Sequence, residues 1–242
     1  MIISLQMQAV ILAAGQGLRL RPLTFDTPKV MLKIGSKPIL QRIMENLKQA
    51  GITDVLMVVG YKKDDIEGFF GEKYLGIKIT YFLQKKQLGT AHAISLVEGF
   101  AKGNFLAINA DVLIDASVLS GLAQVDEFDP FDAVIVAREA EDPWRYGCLL
   151  VDGSEVKDIV EKPSPGQEPS NLVNAGIYRF NEKIFEAIKK TELSKRNEFE
   201  IVNSIKIMMK AGSRVTYRKF DGTIIDIGDA VDLKRAQQIV KD

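Results

Sequence analysis

Residues 9–29 read Ala9-Val-Ile-Leu-Ala-Ala-Gly-Gln-Gly-Leu-Arg-Leu-Arg-Pro-Leu-Thr-Phe-Asp-Thr-Pro-Lys29, an apolar run that breaks into a glycine-rich, basic, proline-punctuated loop. Val10, Ile11 and Leu12 are apolar at successive positions, which predicts a strand of a parallel sheet buried on both faces. Gly15 and Gly17 free the backbone for close approach to a ligand. Arg19, Arg21 and Lys29 come before any helical period begins, with Asp26 the single acid among them. A buried strand feeding a flexible cationic loop supplies what a polyphosphate needs, namely exposed backbone N–H groups and mobile positive charge. Two familiar phosphate loops are excluded. A Walker A loop ends in Gly-Lys-Ser/Thr where this chain has Gly17-Leu-Arg19, and a dinucleotide fingerprint requires glycine where this chain has Leu20.

At 242 residues the chain has the length of one sizeable α/β domain or two small ones, and 46% hydrophobic content argues against disorder. Lys+Arg and Asp+Glu balance at 32 each. Nothing global therefore favours nucleic acid or an acidic membrane, and the cations of the loop are a local cluster. Cys148 is the only cysteine and His92 the only histidine. That rules out an internal disulfide, a cysteine metal cluster and a conventional zinc site, and it fits a reducing cytoplasm. The first basic residue is Arg19, so the N-terminal apolar run lacks the charged start of a secretory signal, and no run reaches the roughly 20 apolar residues of a membrane span.

Strand and helix patterns alternate along the chain. Ser36-Lys-Pro38 reads as an N-capped helix start, Ile39, Leu40, Ile43 and Leu47 as its apolar face, and Gly51 as its stop. Residues 55–59, 77–82, 105–108 and 133–136 read as strands; residues 61–70, 90–100 and 117–125 read as helices. This order predicts a doubly wound sheet with helices on both faces. Past Val136 the pattern changes to a hairpin with an Asp152-Gly153 turn, then a strand over 173–180, helices over 182–190 and 198–210, strands over 215–220 and 224–227, and a closing helix over 230–240. The expected fold is one α/β domain spanning 1–242.

In open α/β sheets ligands bind beyond the carboxyl ends of the strands. The residues just past successive strands are Gly15, Gly17, Arg19 and Lys29; then Gln84, Gly89 and Thr90; then Asn109 and Asp111; then Glu161 and Lys162; then Asp226 and Gly228. Amides, cations and two aspartates converge on one edge. Asp111 and Asp226 suit a hard divalent cation such as Mg²⁺, which takes one or two carboxylates with phosphate and water; the ordinary fate of such an aspartate, a helix N-cap, stands beside that reading. Asp115 and Asp229 precede apolar helix starts and read as caps. His92 reads as a packing or hydrogen-bonding residue, and Cys148 as a small buried hydrophobe. Trp144 and Tyr146 read either as walls of a sugar pocket or as packing.

Five segments then form a recognisable series: Leu12-Ala-Ala-Gly15 through Gly17, Arg19, Leu23-Thr24 and Pro28-Lys29; Gln84 with Leu88-Gly-Thr-Ala91; Asn109-Ala-Asp111; Val160-Glu-Lys-Pro163 with Asn174-Ala-Gly-Ile-Tyr178; and Asp226-Ile-Gly228. Together they resemble the sugar-1-phosphate nucleotidyltransferases, and the match runs over nearly the whole chain. The resemblance implies a Rossmann-like, GT-A-type three-layer sandwich on a mostly parallel mixed sheet, with a nucleotide-binding half over about 8–135 and a sugar-binding half over about 136–242. It implies condensation of an NTP with a sugar 1-phosphate to an NDP-sugar and pyrophosphate, with Mg²⁺. By position, Arg19 and Lys29 would hold the triphosphate. Leu12, Ala13, Ala14, Gly15, Gly17, Gln84, Gly89 and Thr90 would seat the nucleotide, and Asp111 and Asp226 the metal. Lys162 would hold the sugar phosphate, and Gly147, Glu161 and Asn174 the sugar. Three positions depart from the family pattern: Leu18 stands for a hydroxyl residue, Lys33 for proline and Ala110 for glycine.

The expected substrates are dTTP or UTP with glucose 1-phosphate. GTP with mannose 1-phosphate, a CTP-dependent activation of a non-sugar phosphate such as phosphocholine, and a non-catalytic nucleotide-binding subunit stand as alternatives. No nucleic acid or membrane is expected as a partner, and a homo-oligomer is left open. The hexapeptide repeats of the β-helix that extends many relatives do not occur, so acetyl transfer is not expected.

Overall fold

A computed structural model describes residues 7–124 and 131–240. Strand β1 (Gln8–Ala13) leads through two tight 3-10 turns, Leu18–Leu20 and Lys29–Met31, into a short hairpin of β2 (Lys33–Ile34) and β3 (Lys37–Pro38). Helix α1 (Ile39–Gln49), β4 (Asp54–Val59), α2 (Lys63–Phe70), β5 (Lys73–Tyr74), β6 (Ile77–Leu83) and α3 (Thr90–Ser95) follow. Next come β7 (Phe105–Asn109), β8 (Val112–Ile114), α4 (Ala116–Ala123) and β9 (Ala133–Glu139). The remainder comprises β10 (Gly147–Asp152), β11 (Glu155–Glu161), β12 (Leu172–Phe180), α5 (Lys183–Lys189), α6 (Ile201–Lys210), β13 (Val215–Arg218), β14 (Ile224–Asp226) and α7 (Ala230–Ile239).

Ten strands form one sheet in the order β10-β11-β13-β9-β12-β7-β1-β4-β6-β5. Strands β7, β1, β4 and β6 are mutually parallel, as are β9 and β13; β12 runs against both β7 and β9. The sheet is thus mixed with a parallel centre, the expected architecture. Alternation along the strands sends side chains to two cores. Ala9, Ile11, Val55 and Met57 pack with α1, α2, α4 and α7 on one face; Val10, Leu56, Val58 and Phe105 pack with α3, α5 and α6 on the other.

Several local expectations shift. Ser36 lies in the turn between β2 and β3, and Pro38 takes the N-cap position of α1 with no side-chain cap bond. The β10–β11 register pairs Asp152 with Glu155, so the turn centres on Gly153-Ser154, one residue later than expected. Gly153 there adopts φ +57°, the left-handed geometry such a tight turn requires. The α3 helix ends at Ser95, and the chain continues to Phe100 in i→i−3 turns. The α6 helix starts only at Ile201, because Phe199 is drawn out by Leu88 and Ala91: its N–H donates to the Leu88 carbonyl (2.7 Å) and its carbonyl accepts from Ala91 (2.9 Å). The expected helix end at Val125 lies outside the described residues. Asp229 caps α7 in a reciprocal box with Asp232, whereas Asp115 occupies the N-cap position of α4 without a cap bond and accepts instead from the Thr223 N–H (2.7 Å).

Strand β12 is bulged between Asn174 and Tyr178. Gly176 carries the bulge at φ +74°, and a Cβ there would lie 2.5 Å from Asn109 Nδ2. Bulges of this kind re-aim side chains beside active sites. Gly176→Ala is expected to destabilise the fold by about 1–3 kcal/mol, more than Gly166→Ala, where φ is +83° but the space around an added Cβ is open. Urea denaturation of the two variants beside the parent measures the difference, and equal losses would refute the role given to the Asn109 contact.

Candidate active site

The cationic loop is held by Thr24 from within and by Tyr61 from the turn after β4. Thr24 Oγ1 donates to the Gly17 carbonyl (2.8 Å), and the Tyr61 hydroxyl reaches the carbonyls of Thr24 and Phe25 (3.1 and 2.9 Å). Gly17 sits at φ +63°, where a Cβ would press within 2.8 Å of the Lys29 Cβ. Its absent side chain is therefore what lets Lys29 pass inward. Lys29 is buried, and its Nζ meets Asp111 Oδ2 at 2.5 Å.

Asp111 lies just past β7, and β8 begins at the next residue. Strand β14 pairs antiparallel with β8, which sets Asp226 opposite Val112, and the Ile227 N–H donates to the Asp111 carbonyl (2.9 Å). This small ribbon brings two aspartates from distant parts of the chain to one place. Burial, then the neighbouring Asp111 charge, push the Asp226 carboxyl up to about 6, against the pull of Lys29 and Arg19. Arg19 comes from the 3-10 turn after Gly17. It passes so close to Gly228 that a Cβ there would stand 3.3 Å from Arg19 Nη2 and 3.1 Å from Asp232 Oδ2. The exposed Leu18 side chain lies beside it at the loop surface.

Two cavities open on this edge. The smaller, about 250 Å³, is lined by Leu12, Ala14, Gly15, Lys29, Gln84, Gly89 and Thr90 among others. The larger, about 420 Å³, is lined by Arg19, Gly147, Glu161, Lys162, Asn174 and Asp226 among others. Thr90, Asn109, Asp111 and Glu198 belong to both walls. Of the expected nucleotide residues, Ala13 is buried in the core and Gly17 packs on Lys29; neither lines the smaller cavity.

In the larger cavity, Gly147 leaves room for Glu161, whose Oε2 would lie 2.9 Å from an added Cβ. Burial raises the Glu161 carboxyl, while Arg196 and Lys162 draw it down. Lys162 adopts φ +45°, uncommon for a side-chain-bearing residue, and its N–H donates to the Tyr146 carbonyl (3.0 Å). Asn174 is oriented from both ends: Nδ2 donates to the Tyr178 hydroxyl (2.6 Å), and Oδ1 accepts from the Gly176 N–H (2.9 Å).

Four residues of this wall escape a reading by sequence. Arg138 lies over the Tyr146 ring (4.5 Å to the centroid), which places Tyr146 on the cavity wall. Arg145 clasps Asp229 (3.0 Å) and Asp232 (3.1 Å). Arg196 joins Glu161 (3.4 Å) and Glu200 (3.0 Å), and Glu198 touches both cavities. Their only signal in the sequence is their charge. The thiol of Cys148 is buried and directed at the Pro143 carbonyl (3.2 Å), with its pKa raised by burial.

The crowding of Asp226 has a thermodynamic sign. Its folded-state pKa of about 6 lies above the ordinary 3.8, so the folded protein holds that proton more tightly and loses stability as pH rises between the two values. Asp226→Asn is therefore expected to be more stable than the parent near about pH 8 in metal-free buffer, with the gap closing towards about pH 4. Chemical denaturation across that range tests it; a variant no more stable than the parent at the alkaline end refutes the assignment.

The family model for nucleotidyl transferases matches residues 8–242. A UTP–glucose-1-phosphate uridylyltransferase, AglF, of Haloferax volcanii is 37% identical over 96% of this chain and 96% of its own length. The bifunctional protein GlmU of Methanocaldococcus jannaschii is 34% identical over 98% of this chain, which spans 55% of that protein. A crystal structure of a Bacillus anthracis chain assigned as a glucose-1-phosphate thymidylyltransferase, in complex with sucrose, superposes with a TM-score of 0.88 at 30% identity, covering 98% of this chain and 96% of that one. The chain belongs to the nucleotidyl transferase family.

Proposed function

We propose that the chain joins UTP or dTTP to glucose 1-phosphate with the help of Mg²⁺, forming the NDP-glucose and releasing pyrophosphate. The observation that carries this is the pair of cavities that share a wall at Asp111. In this reading the smaller takes the nucleotide along Leu12, Ala14 and Gly15, with Gln84, Gly89 and Thr90 about the base, while Ala13 and Gly17 support that wall from behind. The larger takes the sugar on Gly147, Glu161 and Asn174, with Lys162 on its phosphate. The choice of base and sugar follows the uridylyl- and thymidylyltransferase names of the two similar proteins.

An oxygen of the sugar phosphate attacks the α-phosphorus. The bond from that phosphorus to the bridging oxygen of the β-phosphate breaks, and pyrophosphate departs with the electron pair. The nucleophile is already ionised, so no general base is needed, and the work reduces to in-line positioning and charge neutralisation. Arg19 and Lys29 balance the charge that develops on the leaving group, and Lys162 fixes the attacking phosphate.

The site fits a hard divalent cation by its donors: two carboxylates meet, one of them holding its proton up to about 6, and Asn109 Oδ1 beside them is buried with no hydrogen-bond partner. Lys29 already answers the negative charge of Asp111. Asp111 and Asp226 would hold Mg²⁺, which when bound neutralises and orients phosphate oxygens.

Pyrophosphate is expected only when NTP, Mg²⁺ and sugar 1-phosphate are all present. A matrix of UTP, dTTP, GTP and CTP against glucose 1-phosphate, mannose 1-phosphate and phosphocholine reads out the pair. Turnover only with GTP and mannose 1-phosphate, or only with CTP and phosphocholine, would replace the substrate reading. Asp111→Ala and Lys162→Ala are each expected to lower kcat by about 10²–10³-fold, the scale of one preorganised electrostatic group. Full turnover in either purified variant would remove that residue from the mechanism.

A further inference from the structure

His92 has no part in the reaction just described, yet it holds a residue that does. Gln84 lies just past β6, is 4% exposed, and lines the smaller cavity. Its Nε2 donates to the Gly89 carbonyl (3.1 Å) and stands 2.9 Å from His92 Nδ1 in α3. A carbonyl oxygen only accepts, so the Gly89 bond fixes which end of the amide faces α3: the nitrogen. The second N–H of that nitrogen meets His92 Nδ1, which must therefore be the bare nitrogen of a neutral imidazole. Burial lowers the imidazole pKa and favours the same neutral form. With both N–H groups engaged, Oε1 is the one polar atom of this side chain left for the cavity.

We propose that His92 positions the Gln84 amide so that the smaller cavity presents a hydrogen-bond acceptor, which selects nucleotides whose base carries a ring N–H on its pairing edge. The inference rests on the smaller cavity being the nucleotide site. Uracil, thymine and guanine offer such an N–H. Cytosine and adenine place a bare ring nitrogen there, which sets lone pair against lone pair and leaves two acceptors unsatisfied. The imidazole touches the base only through Gln84, so His92 is a positioning residue.

Calorimetric titration of UTP and CTP into the full chain with Mg²⁺, and without sugar phosphate, tests this. The parent is expected to bind UTP at least about tenfold more tightly than CTP. His92→Phe keeps a ring but removes the acceptor, and should reduce that ratio by about tenfold, chiefly by weakening UTP. His92→Asn places Oδ1 near the position of Nδ1 and should keep the ratio within about twofold. His92→Leu carries the expectation of His92→Phe should the latter fail to fold. In turnover, His92→Phe should raise KM for UTP with kcat at saturation little changed, a split that general loosening of the fold does not produce. A parent with no preference, a Phe or Leu variant that keeps it, or an Asn variant that loses as much as Phe each overturns the inference. Absence of pyrophosphate release from UTP with glucose 1-phosphate, with the UTP preference intact, overturns the glucose 1-phosphate reading alone. Turnover without base preference overturns the His92 inference alone, and binding of neither nucleotide overturns both.

Discussion

Two carboxylates set side by side in a poorly solvated corner, Asp111 and Asp226, impose more on this protein than any other contact. Like charges in such a place repel, and burial adds a penalty on the Asp226 carboxylate. The surrounding chain supplies the compensation. Lys29 is threaded past Gly17 to pair with Asp111, and the β8–β14 ribbon fixes the backbone of both aspartates. Behind Asp226, the Gly228 and Asp229 N–H groups converge on Asp232 (3.0 and 3.2 Å), whose carboxylate also receives Arg145. A site that costs stability at its centre is thus enclosed by a well-bonded rim.

The sheet determines where that rim can stand. Its parallel centre, β6-β4-β1-β7, ends all its strands at one edge, and the loops leaving that edge carry Gly15, Gln84 and Asp111. The antiparallel β12 then interrupts the parallel set and would point its residues elsewhere, were it not bulged at Gly176. The bulge turns Asn174 towards the larger cavity, while Lys162 is aimed there by its own left-handed backbone. Ligand-facing atoms on this side come from distorted backbone, those on the other from glycine-rich loops.

This division also governs how much of the molecule the residues alone disclose. Strand β1 and its loop are legible because an unbroken apolar run leading to two glycines and three cations is a local signal. The α7 cap at Asp229 is equally local, since both members of the box lie within one turn. Asp115 carries the same local pattern and bonds elsewhere, because Thr223 arrives from a remote part of the chain to claim its carboxylate. The β8–β14 pairing, the early end of α3 and the late start of α6 all depend on contacts between distant segments, which no window of sequence displays. Asp111, Lys162 and Asp226 stand out as members of a series of motifs. Arg138, Arg145, Arg196 and Glu198 belong to no such series, and charged residues are by default solvated.

The segment that replaces the expected first turn of α6 has an effect of its own. Phe199 lies hydrogen-bonded to Leu88 and Ala91 beside the smaller cavity, and Thr90 Oγ1 accepts the Ile201 N–H (3.0 Å), while Glu200 and Glu161 grip Arg196 beside the larger one. One strip of chain is therefore the doorpost of both rooms. The two openings therefore share an edge, and a displacement of that strip alters both together.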